Sequence, residues 1–226
     1  MRTTRLVEAL ALLAGCAMAQ SQGAVRKIDA SAVWQVSPQF LATAPASCYK
    51  SSDSGSLECL TGRMAKAGAP TAAVTFTREL YKQSHGQFGI MTGFQPQRPV
   101  AFAWITYPLR ANTNYGLVLV NGRPPIVDVE DLKLLDRKTM EHSPQFQDLK
   151  NQFPKVDVWP GDRDGKIWPN AQAGANGGTQ FVVSYPLING CHACQRAGLA
   201  IFTWNFGADG KFLGTSFVGV TPAPLN

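Results

Sequence analysis

The 226-residue chain predicts an α+β fold, an antiparallel sheet with N-terminal helices packed on it. Two observations carry that expectation. Apolar residues in the first half recur at spacings of three and four, whereas the second half holds runs of β-branched and aromatic residues punctuated by turn signals. Helices come first and strands later, without the βαβ alternation that a parallel sheet requires.

Ser37-Pro38-Gln39-Phe40 places an N-cap before a proline at the first helical position. Ser143-Pro144-Gln145-Phe146 repeats those letters between unmatched flanks, which is a shared way of starting a helix rather than a duplication. Leu57, Leu60 and Met64 share one face of a helix over Ser56 to Ala67, stopped at Gly68. The next helix runs from Pro70 to Gln83, with Val74, Thr77, Leu80 and Tyr81 toward one side.

From Phe88 the texture changes to strands. Val100 to Tyr107 and Tyr115 to Val120 are β-rich, and Asn121-Gly122 followed by Pro124 turns the chain into Ile126 to Val129. Asp131 to Glu141 reads as a helix with Leu132 and Leu135 inward, and the Ser143 cap begins another that ends near Phe153-Pro154. Trp159 to Gly165 and Asn170 to Gly178 are dense in Gly, Pro, Asn and Asp and read as loops. Gln180 to Pro186, Leu199 to Phe206 and Phe212 to Val218 then form three antiparallel strands. The first two are joined by the Cys191 to Cys194 loop and the last two by Ala208-Asp209-Gly210.

The first residues read as an export signal. Arg2 and Arg5 precede an apolar stretch from Leu6 to Gly15, which is shorter than the roughly 20 residues a membrane span needs. Leu13-Ala14-Gly15-Cys16 resembles a bacterial lipobox with Cys16 as the acylated residue, while Ala17-Met18-Ala19 fits ordinary signal peptidase. The expected organisation is a signal peptide over 1–19, a tether over 20–36 and a single α+β domain over 37–226, with two lobes dividing near 155–180 as the alternative. The expected location is the periplasm or outer envelope, lipid-anchored or soluble, or the medium if secreted. Contact with the membrane is expected only through acylated Cys16.

The full chain carries a formal charge of +6; cleavage removes two arginines and one glutamate and leaves +5. Such an excess favours anionic envelope polymers or phospholipid headgroups. Lysines and arginines are scattered, without a basic run or metal-finger spacing, which argues against nucleic acid as partner.

Cys48, Cys59, Cys191 and Cys194 are an even set in an exported chain, and local pairing of Cys48 with Cys59 and Cys191 with Cys194 is the simplest of three connectivities. Gly190-Cys191-His192-Ala193-Cys194 admits several chemistries. A thiol-disulfide redox protein would use Cys191 and Cys194, but it needs the motif at a helix N-terminus, and a strand follows here. Covalent haem attachment requires histidine where Gln195 stands. Adjacent Cys191 and His192 seldom reach one tetrahedral ion together, and His85 and His142 are isolated, so no metal and no cofactor is expected. A staple that stiffens an interstrand loop is the plainest role.

No Gly-x-Ser-x-Gly elbow, phosphate loop or His-Glu-x-x-His is present. Asp162, Asp164 and Gly165 lack the distant bidentate glutamate of a calcium loop and read as a solvated turn. Asn112-Thr113-Asn114 builds a turn, and Trp104, Trp159, Trp168 and Trp204 read as core or loop anchors.

Phe181 to Val218, a strand, a cysteine-closed loop with a histidine, a strand with Trp204, a turn, and a strand with Phe212-Leu213-Gly214, resembles the core of the periplasmic inhibitors of vertebrate-type lysozyme. The resemblance implies that His192, clamped by Cys191 and Cys194 and flanked by Arg196, enters a lysozyme cleft and meets its carboxylates. This loop is shorter than the family's, and the N-terminal half has no counterpart there. The resulting expectation is an exported binding protein rather than an enzyme, with a host or envelope protein such as lysozyme as partner.

Radiolabelled palmitate tests the leader. Wild-type protein should incorporate label and Cys16→Ser should lose both label and membrane association; an unlabelled wild type leaves ordinary cleavage after Ala19.

Overall fold

The computed structural model describes residues 27–49, 52–84, 86–110, 114–161, 169–191 and 193–223. Its elements confirm the α+β class: three helices come first, α1 (Pro38–Cys48), α2 (Asp53–Lys66) and α3 (Thr71–Gln83). A four-stranded antiparallel sheet follows, β1 (Ile90–Gln95), β2 (Ala101–Thr106), β3 (Tyr115–Val120) and β4 (Ile126–Asp128), in the order β1-β2-β3-β4. Two short helices, α4 (Arg137–His142) and α5 (Pro144–Gln152), lead to a second antiparallel sheet. It contains β5 (Val156–Val158), β7 (Thr179–Asn189), β8 (Arg196–Phe206) and β9 (Phe212–Pro222) in that order, with β6 (Asn170–Ala173) also paired to β7.

The pleat of β2 and β3 builds three layers. Ala101, Ala103, Ile105, Val118 and Val120 face one way, with Met91 of β1 beside them, and meet Phe76 and Leu80, so α3 covers that side. Alternate residues Phe102, Leu117 and Leu119 face the other way and meet Phe181, Val183, Phe202, Trp204 and Phe206 of the second sheet. A continuous apolar run therefore marks strands buried on both faces. Small alanines on the helix side admit close approach, whereas edge-to-face rings fill the space between the sheets: Phe102 meets Phe181 at 6.2 Å and Phe181 meets Phe206 at 5.8 Å.

The helices start where their caps dictate. Ser52 Oγ accepts from Gly55 N–H, so α2 begins three residues before the expected Ser56, and its expected residues Leu57, Leu60 and Met64 are all buried. Asp131 to Glu141 is not one helix, because Asp136 acts as a second N-cap, accepting from Thr139 N–H. Asp136 also gives its own N–H to Thr215 Oγ1 at 2.8 Å, leaving a 3-10 turn at Leu132–Leu134 before α4. The expected loop over 170–178 begins with β6, whose four residues gain order by pairing along β7.

The segment from Lys27 to Val36, the end of the stretch read as a tether, lies against the domain. Ala32 is buried, Ile28 and Val33 pack beside α3, and Asn121 clamps the Ile28 backbone through both its amide groups. Among the described residues no helix is long and apolar enough to cross a membrane.

A buried hydroxyl ties the two sheets together. Tyr185 on β7 donates to Val129 O at 2.7 Å and accepts from Trp204 Nε1 at 3.0 Å. Tyr185→Phe leaves both partners unsatisfied in the core and should lower stability by about 2 kcal/mol. Urea unfolding measures it, and an unchanged midpoint would show that the bond contributes nothing net.

Candidate functional site

The Cys191–Cys194 bond closes the turn between β7 and β8, with the two Cα atoms 4.9 Å apart. Gly190 enters the turn at φ +102°, a left-handed conformation that a side chain resists. Backbone bonds stiffen the rest: Asn189 N–H to Gln195 O at 3.0 Å, Cys194 N–H to Cys191 O at 2.8 Å, and Gly190 N–H to Lys155 O at 3.0 Å. Lys155 N–H in turn reaches Asn189 Oδ1 at 3.0 Å. Cys191, Ala193 and Gln195 are exposed, and Arg196 is the half-buried first residue of β8, opposite Ile188. His192 and Cys16 lie outside the described residues. The motif sits between two strands rather than at a helix N-terminus, so it lacks the helix dipole that lowers a thiol pKa.

Cys48 and Cys59 form the second expected bond, with 11 residues of sequence separation and Cα atoms 5.3 Å apart. It joins the end of α1 to α2 and stabilises the fold by about 3 kcal/mol through loop closure. Two disulfides are the chemistry of an oxidising compartment.

A second constellation has no counterpart in the sequence reading. A cavity of about 650 Å³ runs beside β4 and is bordered by Gln83, Arg110, Asp128, Glu130, Trp159 and Phe212 among others. Strand alternation puts Asp128, the last residue of β4, on the same side as Ile126, and Glu130 follows in the turn closed by Asp131 N–H to Asp128 O at 3.2 Å; both acids border the cavity. Glu130 Oε2 takes Arg110 Nη1 at 2.6 Å, with the Glu130 side chain 5% exposed and Arg110 24%. Arg110 also bonds Gln87 Oε1 and stacks over the Tyr107 ring, its guanidinium carbon 3.4 Å from the centroid.

Two glycines make room for this packing. A Cβ on Gly116 would stand 2.6 Å from the Tyr107 ring and 3.1 Å from the Glu130 carboxylate, and one on Gly89 would lie 2.8 Å from the same ring. Among the described residues, Tyr107 Oη and Glu130 Oε1 are buried without a hydrogen-bond partner.

The electrostatics follow from burial. Desolvation, then the neighbouring Glu130 charge, pushes Asp128 up to about 7, while the Glu130 N–H at 2.9 Å and Arg110 oppose the shift. Burial raises Glu130 as well, against the Arg110 charge and hydrogen bond. Burial lifts the Tyr107 phenol well above its usual range, and Asp128 and Glu130 add to it. Among the described residues no ion pair engages Asp128, and no group of three His, Cys, Asp or Glu side chains could hold a metal ion. A half-buried acid near neutrality in a cavity of about 650 Å³ can exchange a proton or pair with a cation.

No family model, curated protein or solved structure matches the chain.

Asp128 carries a clear stability signature. Its folded-state value lies above the unfolded one, so its contribution is fully present below about pH 3.8 and is lost as pH rises through about 7. Asp128→Asn should therefore stabilise the protein at pH 8, by on the order of 2 to 4 kcal/mol, and leave it unchanged near pH 3.5. Thermal melts across that range check the sign; equal stability at both ends would place Asp128 at an ordinary carboxylate value.

Proposed function

We propose that the chain is an exported binding protein whose disulfide-closed β7–β8 loop is the contact element, with the cleft of a vertebrate-type lysozyme as its partner. The observation that carries this reading is the turn closed by the Cys191–Cys194 disulfide, with Cys191 and Ala193 exposed, pinned beside β5 through Gly190 and Lys155. A loop already held in one shape loses little conformational freedom on docking, so more of its contact energy appears as affinity. In this reading His192 meets the catalytic carboxylates and Arg196 supports the loop's base.

The predicted leader and the two disulfides support export to an oxidising compartment. The strand-to-strand setting of the cysteines favours a staple over the redox reading, because an oxidoreductase activates its attacking thiol with a helix terminus.

The mature protein, added at micromolar excess, should slow lysis by a vertebrate-type lysozyme, and Cys191→Ser/Cys194→Ser should weaken the effect. A mature charge of +5 repels a basic enzyme, so association should quicken as salt is added, the reverse of a steered complex. Undiminished lysis removes lysozyme as the partner. A Cys191–Cys194 bond that glutathione opens readily, together with turnover of a model dithiol, replaces the binding reading by the redox one.

A further inference from the structure

The cavity beside β4 lies apart from the disulfide loop and has the composition of a ligand site. Its described lining carries three acids, Asp128, Glu130 and Asp131, against two bases, Arg110 and Lys133. Arg110 is already committed to Glu130 and Gln87, and Lys133 is exposed at the mouth. The local balance is therefore one negative charge, on a chain whose overall charge is +6. Asp128 receives one backbone N–H and no cation among the described residues, while the nearly buried Glu130 keeps Oε1 without a donor. The remaining walls are apolar or aromatic: Leu134, Trp159, Pro160 and Phe212.

We propose that this cavity binds a small organic cation, a primary amine carried on an apolar or aromatic body, with Asp128 as its counter-ion. Each competing ligand class meets a physical objection. An anion adds to the excess negative charge. A neutral ligand leaves Asp128 desolvated and unpaired, which is costly at a half-buried site. A divalent metal lacks a third ligating side chain among the described residues. An ammonium group supplies donors to the Asp128 carboxylate while its body covers Trp159 and Phe212, and a volume of about 650 Å³ lies in the usual range for small-molecule sites.

The groups facing Asp128 are Glu130 and Asp131 on its own segment, Tyr107 and Arg110 from the exit of β2, Lys133 on the 3-10 turn and Tyr185 from the second sheet. Of these, Asp128 is the group placed near neutrality, at about 7. Binding of an amine favours its ionised form, so affinity rises with pH up to about 7, and binding below that pH expels a proton.

Titration calorimetry on the mature, disulfide-intact chain can use phenethylamine, phenylethanol and phenylacetate, which share a body and differ in head charge. The amine should bind at least about tenfold more tightly than the alcohol, and phenylacetate should give no heat. Amine affinity should rise about tenfold from about pH 6 to about pH 8, following ionisation of a group near 7. Asp128→Asn keeps the shape, removes the charge and should bring the amine down to the alcohol's affinity, while Lys133→Glu at the mouth should tighten amine binding about threefold. Equal affinity for amine and alcohol, a flat pH profile, an unaffected Asp128→Asn protein that melts cooperatively, or no heat from any probe at millimolar concentration would each overturn the proposal.

Discussion

The position of the Val129 backbone governs both the packing of the sheets and the chemistry of the cavity. Tyr185 holds it, by donating its hydroxyl to the Val129 carbonyl while Trp204 donates to the same hydroxyl from β8. All three residues belong to the core shared by the two sheets, so the bonds form where water is excluded and an unmade partner is costly. Val129 stands between Asp128 and Glu130. Fixing its carbonyl against the second sheet anchors the turn from which both carboxylates border the cavity, with Arg110 on Glu130 and Gln87 on Arg110.

That arrangement explains why two acids tolerate burial. Arg110 neutralises Glu130 and is itself supported by Gln87 and the Tyr107 face, while Gly116 and Gly89 remove the side chains that would push the ring away. Glu130 is thus compensated and Asp128 is not, so the cost of desolvation concentrates on one carboxylate. The destabilisation is local and sits in a cavity, where a bound cation can relieve it. Placing strain of this kind at a binding surface, and offsetting it with a rigid core behind, is a common division of labour in folded proteins.

The helices and the long strands were legible because their signals are local. Leu57, Leu60 and Met64 declare the inward face of α2, and the runs at Val100 to Tyr107 and Leu199 to Phe206 declare strands. Where tertiary partners decide, the sequence was silent. β1 carries Gly93 in its middle, which reads against a strand, yet the Trp104 ring across the sheet occupies the space a Cβ would take. β6, Asn-Ala-Gln-Ala, has weak strand propensity and exists because the edge of β7 is there to pair with it. The helix expected over 131–141 breaks because Thr215, about eighty residues away, captures the Asp136 N–H. The acidic pair failed for a similar reason. Val127-Asp128-Val129-Glu130 looks like an edge strand with one wet face, and nothing nearby in sequence reveals that Arg110, Gln87 and Trp159 enclose that face. An aspartate and a glutamate two apart at the end of a strand, with an arginine just past the end of another strand, was the available signal.

β5 connects the disulfide loop to the cavity. Its three residues are flanked by Lys155, whose carbonyl receives the Gly190 N–H at the base of the loop, and by Trp159, which borders the cavity and donates its backbone N–H to Pro186 O at 3.0 Å. Val156 and Val158 are buried in the shared core, and Asp157 between them pairs outward with Arg137 at 2.5 Å. So short a strand gains little from its own ladder. Its placement depends on the core valines and on the bonds to β7, the strand that also carries Tyr185. Loop and cavity therefore take their positions from one strand, and a change that loosens β7 at Tyr185 reaches the loop through β5 and the two acids through Val129.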